Sequence, residues 1–371
     1  MTPKTVLMTT DTIGGVWNYS LQLAKELTER GIKIALASMG KLPTRSQTEA
    51  VVKLSQVEFF ESSYRLEWME DPWSDLSAAG VWLLELEQRI RPDIVHLNGY
   101  AHGALPWKAS VCTVAHSCVL SWWRAVLGES APGSWSRYRV AVAEGLRLCD
   151  HLVAPSAAIL KVLRSIYEVL PPASVIHNGV SSAGFRPGKK FPIVFTAGRL
   201  WDQAKNIEAV CHCAALLPWQ FVIAGEGDPP NPISKNVLLI GNVSSEIIAH
   251  YMAIASIYCL PARYEPFGLT ILEAALSGCA LILGDIEPLR ELWDGAAIFV
   301  SPNDLPSLAR RLKELMENEV LRKTMSELAQ QRAKRFSAER MASSYLQLYS
   351  RMRDSGRRAD PLPLAERKGS F

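Results

Sequence analysis

No stretch of this chain is apolar for long enough to cross a bilayer; none approaches the roughly 18 residues a membrane span requires. A secretory leader is not expected either, because Lys4 is followed at once by the short strand-like run Thr5-Val6-Leu7-Met8 and then by polar Thr9-Thr10-Asp11. Cysteine is sparse: seven residues, an odd number without zinc spacing, argue against a disulfide framework and fit reduced thiols in a cytoplasmic protein. An excess of one charge is missing too, since 40 basic and 37 acidic residues leave a net +3, too little to argue for nucleic acid. Two informative strings are absent. There is no Gly-x-Gly-x-x-Gly after a strand and no acidic residue ending the second strand, which argues against a nicotinamide-dinucleotide enzyme. There is also no Asp-x-Asp suited to holding a metal–diphosphate, so no metal or other cofactor is expected. Short-period repeats and low-complexity segments are lacking as well.

What is present is the balance of a soluble globular protein: 371 residues, 48% hydrophobic and 21% charged, long enough for two domains. Residues 1–178 carry 17 basic and 17 acidic groups, whereas 310–371 carry 15 basic and 8 acidic. A solvated helical face followed by a tail is the simpler account of that basic end. Peripheral contact with an anionic membrane surface, at the cytoplasmic face, is the other.

Short β-branched runs alternate with helical patterns from end to end, as parallel βαβ construction demands. Strands are predicted at 5–10, 33–37, 57–60, 93–97, 112–115, 151–154 and 174–176, with helices such as 16–30 and 81–90 between them. A hinge is expected near Asn178-Gly179-Val180, where Gly184, Pro187 and Gly188 follow. A second series then runs through 193–197, 221–224, 237–240, 257–260, 280–283 and 298–300. Cys211 and Cys213 share one predicted helix in this series and are expected to be packing residues. The reading is two Rossmann-like α/β domains facing each other across a central cleft: 1–178, 179–335, a C-terminal helix at 336–354 crossing back to the first domain, and a disordered tail at 355–371.

The strongest signal is the string from Pro261 to Gly278, PARYEPFGLTILEAALSG. A buried strand ends in a loop, and a helix starts near Gly268 and stops at Gly278. Amides around Gly268, Leu269 and Thr270 suit phosphate oxygens, and the helix dipole favours negative charge there. Glu265, before the helix, and Glu273, a little over one turn inside it, can accept hydrogen bonds from vicinal sugar hydroxyls. A solvent-facing amphipathic helix explains one of these glutamates but not the whole string. A second cluster is Gly198-Arg199-Leu200-Trp201-Asp202-Gln203-Ala204-Lys205-Asn206. Arg199 and Lys205 bring two cations to one loop and can neutralise a diphosphate leaving group, the task Mg²⁺ performs elsewhere. A third strand ends in Gly225-Glu226-Gly227, opening space for a base or phosphate. In the first half, Gly14-Gly15 turns the backbone tightly after strand one and opens a helix, which places Gly15 against a ligand.

These residues resemble the large family-four retaining glycosyltransferases of the glycogen-synthase and mannosyltransferase type, along most of the chain from Gly14-Gly15 to about Asp304. The resemblance is most specific at Glu265 and Glu273, seven residues between them, together with Gly198-Arg199-Leu200 and Lys205. It implies the GT-B fold and transfer of a hexose from a UDP-, GDP- or ADP-sugar co-substrate to an acceptor hydroxyl, without a metal. It implies that Glu265 contacts the donor sugar, that Glu273 holds the nucleotide ribose, and that Phe267, in the same loop as Glu265, belongs to the donor- and nucleotide-binding set. Arg199 and Lys205 would bind the diphosphate, Gly14-Gly15 would close over it, and the Gly241-Asn242-Val243 segment would meet the base. His116, at the end of a first-half strand, reads alone as structural. The resemblance makes it a donor-sugar contact giving positioning and electrostatic help, not the general base. Trp122, Trp123 and Arg124 fall where the family recognises its acceptor, whether lipid, glycan or small metabolite, although helix packing would also account for them. The sequence departs from the family at Pro266, which is expected to narrow the donor pocket, at Asn206 where glycine is commoner, and at Gly278-Cys279-Ala280, which lacks a proline. A sugar phosphorylase or synthase of the same fold, or a non-catalytic nucleotide-sugar-binding protein, are the alternatives; loss of turnover on replacing Glu265 or Arg199 separates an enzyme from a scaffold.

Overall fold

The computed structural model describes residues 2–228 and 234–355. Ser355 closes the last helical turn, its amide bonded to the Arg351 carbonyl, and the rest of the expected tail lies outside the described residues. The chain forms two compact units: the first holds the chain up to Arg124, Glu129–His177 and the part from Ala338 on, and the second holds Asn178–Ser337 with Ala125–Gly128. No helix among the described residues is long and apolar enough to cross a membrane.

Seven parallel strands form the sheet of the first unit: β1 (Thr5–Asp11), β2 (Lys33–Met39), β3 (Val57–Glu61), β4 (Ile94–Leu97), β5 (Ser110–Val114), β6 (His151–Ala154) and β7 (Ala173–Val175). Their order is β3-β2-β1-β4-β5-β6-β7, so the winding reverses between β1 and β4, and Val6 lies opposite both Ile34 and Ile94. Val6, Leu7 and Met8 are fully buried because helices cover both faces, which explains a continuous apolar run instead of alternation. The helix Trp73–Ile90 begins two turns before the position expected from sequence. Its early turns carry Ser, Ala and Gly80, which blunt the hydrophobic period, yet Leu76, Ala79 and Gly80 are buried, and a Cβ at Gly80 would come within 3.0 Å of Leu105. The C-terminal helix Ala338–Asp354 buries Met341, Ala342, Tyr345, Leu348, Tyr349 and Met352, one face at helical spacing, and packs on the helix Gly15–Thr28. Arg353 ties it down through Asp93 at 3.1 Å and the Thr2 carbonyl at 2.7 Å.

The second unit carries β8 (Phe191–Ala197), β9 (Gln220–Ala224), β10 (Val237–Gly241), β11 (Ala255–Leu260), β12 (Ala280–Gly284) and β13 (Ile298–Val300), in the order β10-β9-β8-β11-β12-β13. Strand side chains alternate between two cores. Phe195, Tyr258, Leu260, Leu281 and Leu283 pack with Ile271, Leu272 and Ala329 on one face. Val194, Ile257, Cys259, Ala280 and Ile282 pack with Val210, Cys213 and Leu312 on the other. Cys211 and Cys213 are free and buried in the helix Ile207–Ala214, and burial pushes both thiols up to about 11, as suits packing residues.

Candidate functional site

In the second unit the winding reverses between β8 and β11, so the loops leaving these neighbouring strands diverge and leave room at their carboxyl ends. The two loops are stitched to each other. The Arg263 amide donates to the Ala204 carbonyl at 2.8 Å, and the Asn206 side-chain amide donates to the carbonyls of Pro261 and Pro302 at 2.9 and 2.8 Å. Asn206 sits at φ 55, ψ 39, a left-handed conformation that asparagine tolerates better than most residues. It therefore replaces glycine at a smaller cost than most residues would and clamps the loops as well.

Across this seam Lys205 Nζ meets Glu265 Oε2 at 2.6 Å, with both side chains more than four-fifths covered. Arg199, on the same loop, pairs with Asp202 at 2.6 Å and stacks its guanidinium 5.0 Å from the centre of the Trp201 ring. Burial raises the Asp202 carboxyl, but Arg199, Lys205 and the Ala204 amide outweigh it and hold the group below the usual carboxylate range. Among the described residues Arg199 Nε is buried without a hydrogen-bond partner, a spare donor on a fixed cation. The helix Leu269–Leu276 starts from Gly268 at φ 84, and no side chain caps it. The Ile271 and Leu272 amides go to the Gly268 carbonyl and, among the described residues, those of Leu269 and Thr270 keep their donors for another acceptor. Thr270 Oγ1 accepts from the Tyr258 hydroxyl at 2.8 Å, which fixes the first turn from below. Glu273 is 8% exposed on this helix, and burial pushes its carboxyl up to about 8.

Two positions in this region act differently from the sequence expectation. Phe267 turns its ring into the core, where it is 3% exposed and meets Phe336 edge-to-face at 5.6 Å. Its part toward a ligand is thus limited to backbone; its amide leans toward Glu265 Oε1 at 3.5 Å. Gly225 leaves no open space: a Cβ there would lie 1.8 Å from the Gly198 carbonyl oxygen, so this glycine lets the β9 loop press on the Arg199 loop. Gly225→Ala should push that loop aside, costing about 1–3 kcal/mol of stability. A melting point within a degree of wild type would show that the loop yields freely. Gly241, at φ 69, ends the edge strand β10; its carbonyl accepts the Gly225 amide at 2.9 Å, and Val243 packs partly buried on the core.

In the first unit Gly14 stands at φ 82 and opens the helix Gly15–Thr28 with no side-chain cap, the arrangement expected of an anion-binding turn. His116 follows β5, half-buried; its Nε2 lies 2.8 Å from Asn98 Oδ1 and its ring edge-to-face on Tyr19 at 4.4 Å. Burial, then His96, lowers its pKa to about 3, so it is neutral at physiological pH. Trp122 and Trp123 are half-buried with ring centroids 6.1 Å apart, and exposed Arg124 donates to Ser165 Oγ at 3.1 Å. Asp202, Tyr258 and Asn98 escaped the sequence reading. Only Asp202, three residues after Arg199, carried a local signal.

The geometry is thus a pair of braced cations, an uncapped helix start and two acids on adjoining loops. Comparison with known proteins gives these features a context. The family model described as "Glycosyl transferases group 1" matches residues 182–332, and that described as "Glycosyltransferase Family 4" matches 13–183. Alpha-D-kanosaminyltransferase of Streptomyces kanamyceticus is 31% identical over 154 residues, 37% of this chain and 40% of that protein. Glycogen synthase of Mycobacterium tuberculosis is 26% identical over 316 residues, 78% of this chain and 76% of that protein. Among solved structures, Anabaena HepE in complex with UDP and glucose shares the fold, with a TM-score of 0.74 at 16% identity over 94% of this chain and all of that one. The two family models meet near the start of the second unit and together match residues 13–332, which hold every strand but β1, so the chain belongs to the group 1 and family 4 glycosyltransferases and is a transferase of the GT-B fold.

Proposed function

We propose that this transferase is a retaining enzyme that takes a hexose from a nucleoside-diphosphate sugar and places it on an acceptor hydroxyl without a metal ion. The observation that carries the reading is the joining of Arg199, Lys205, Glu265 and the Gly268 helix start on two neighbouring strand ends. Fixed cations and oriented amides stabilise charge that develops on a departing diphosphate, and here both cations are already held in place, so little reorganisation remains. Glu265 would grip the hexose, Glu273 the ribose and Gly241-Asn242-Val243 the base; in the first unit, the Gly14-Gly15 turn is suited to a diphosphate and His116 to a donor sugar. Trp122, Trp123 and Arg124 offer aromatic and guanidinium surface to the acceptor. The anomeric carbon–phosphate oxygen bond breaks while the acceptor oxygen bonds the same face of that carbon. The acceptor proton passes to the departing diphosphate, so no protein base is required. The UDP and glucose bound by HepE favour a nucleotide-sugar donor for this chain also.

A thermal-shift panel of UDP-, GDP- and ADP-sugars tests the proposal, because a ligand that binds the folded state raises the melting point by mass action. Transfer with the stabilising donor should survive EDTA. Full loss with EDTA, restored by Mn²⁺, would contradict metal-free leaving-group stabilisation.

A further inference from the structure

Resting on the reading that His116 meets the donor sugar, we propose that Asn98, His96 and Tyr349 are positioning residues. They fix His116 as the neutral Nε2–H tautomer with a bare Nδ1, an acceptor for a sugar hydroxyl and not for a phosphate oxygen. The argument starts at Asn98. Its Nδ2 donates to the Thr9 carbonyl at 2.7 Å and to Ser20 Oγ at 3.1 Å, which sets the orientation of the amide. Its Oδ1 therefore faces both His116 Nε2 at 2.8 Å and His96 Nε2 at 3.2 Å. A carboxamide oxygen only accepts, so each of these nitrogens carries a proton. A neutral imidazole with a proton on Nε2 has none on Nδ1.

His96 extends the chain of bonds. Its Nδ1 lies 2.6 Å from the Tyr349 hydroxyl, which must donate, and its Nε2 also approaches the Tyr19 oxygen at 3.4 Å. The Tyr19 proton is directed to Tyr345 at 2.6 Å, so the Tyr19 oxygen is left to accept. Donors thus run from Tyr349 on the C-terminal helix through His96 to Asn98, while Tyr19 donates back to Tyr345 on the same helix. Tyr19 packs on both rings, Tyr345 and Tyr349 pack on His96, and Cys112 is the strand partner of His96. Burial raises the pKa of each of these four groups and lowers that of His96 to about 4, so this cluster carries no charge near neutral pH. A ring locked in this state cannot hand a proton to the leaving diphosphate. What it meets must bring its own proton, as a hydroxyl does.

The test uses ¹⁵N-histidine-labelled full-length protein. Wild type should show His116 and His96 protonated at Nε2 and bare at Nδ1, unchanged from pH 6 to 8. A proton on Nδ1 of His116, or a titration in that range, overturns the proposal whatever the donor proves to be. Tyr349→Phe removes one hydroxyl; it should give a tautomer mixture at His96 and lower kcat about 10-fold with donor KM within twofold. A lowered melting point with unchanged tautomers and kcat would mean the tyrosine is merely structural, and should the variant fail to fold, the wild-type spectrum decides alone. His116→Ala should leave nucleoside-diphosphate affinity within twofold, whereas a 10-fold loss would place the ring on phosphate and refute the assignment. If wild type binds no nucleoside diphosphate at all, the donor reading fails while the tautomer result stands on its own.

Discussion

Lys205→Ala is expected to weaken nucleoside-diphosphate binding by roughly 1.5–3 kcal/mol, the scale of a charge-assisted hydrogen bond. Turnover should fall further than affinity, because the negative charge on the diphosphate is larger in the transition state than in the bound donor. The same change leaves Glu265 without its partner at 2.6 Å, so the two residues should not act independently. Glu265→Gln alone is expected to reduce transfer about 100-fold or more while nucleoside diphosphate still binds, since the carboxylate is assigned to the hexose and not to the phosphates. A double-mutant cycle read by calorimetry and by initial rates separates the roles. Additive losses would mean that Lys205 and Glu265 act independently despite their contact, and unchanged affinity in Lys205→Ala would remove that residue from the donor site.

Glu273 supplies the second large effect. Its carboxyl is pushed by burial from an ordinary 4.5 to about 8 in the folded protein. A folded-state pKa above the unfolded one means that stability is fully present below about pH 4.5 and is lost as pH rises through 8. Over that window the loss approaches about 4–5 kcal/mol. Glu273→Gln removes this dependence, so the variant should match wild type at pH 5 and melt higher at pH 8. Two ribose hydroxyls donating to the carboxylate would favour its charged form and release close to one proton on binding at pH 7. Calorimetry in buffers of different ionisation enthalpy counts that proton. Binding without proton release would sink the assignment of Glu273 to the ribose.

The strands were legible because each is a short apolar, β-branched run bounded by turn residues, and β6 and β13 fall on the expected residues. Elsewhere the ends moved by a residue or two, since hydrogen bonding continues past the last apolar side chain, as at Asp11 and Gly284. The sequence put Lys205 and Glu265 on loops at strand ends with separate roles, while the adjacency of β8 and β11 and the pairing of the two side chains emerged only from the fold. What stayed hidden depends on partners far apart in sequence. Phe267 looks like a loop residue until Phe336 is brought against it. Gly225 reads as open space until Gly198 occupies it. The histidine network needs residues 19, 96, 98 and 349 together, and no local pattern announces such a meeting.

The first unit is completed only by the helix Ala338–Asp354, which supplies the buried Tyr345 and Tyr349. During translation, the ribosome must therefore deliver the whole of Asn178–Ser337 before the sheet begun at Thr5 can receive its last covering layer. The second unit can finish folding while the nascent first unit still waits with an uncovered apolar face. That interval is when the polypeptide is most open to chaperones and to aggregation, and a stop codon placed just ahead of Ala338 would make it permanent.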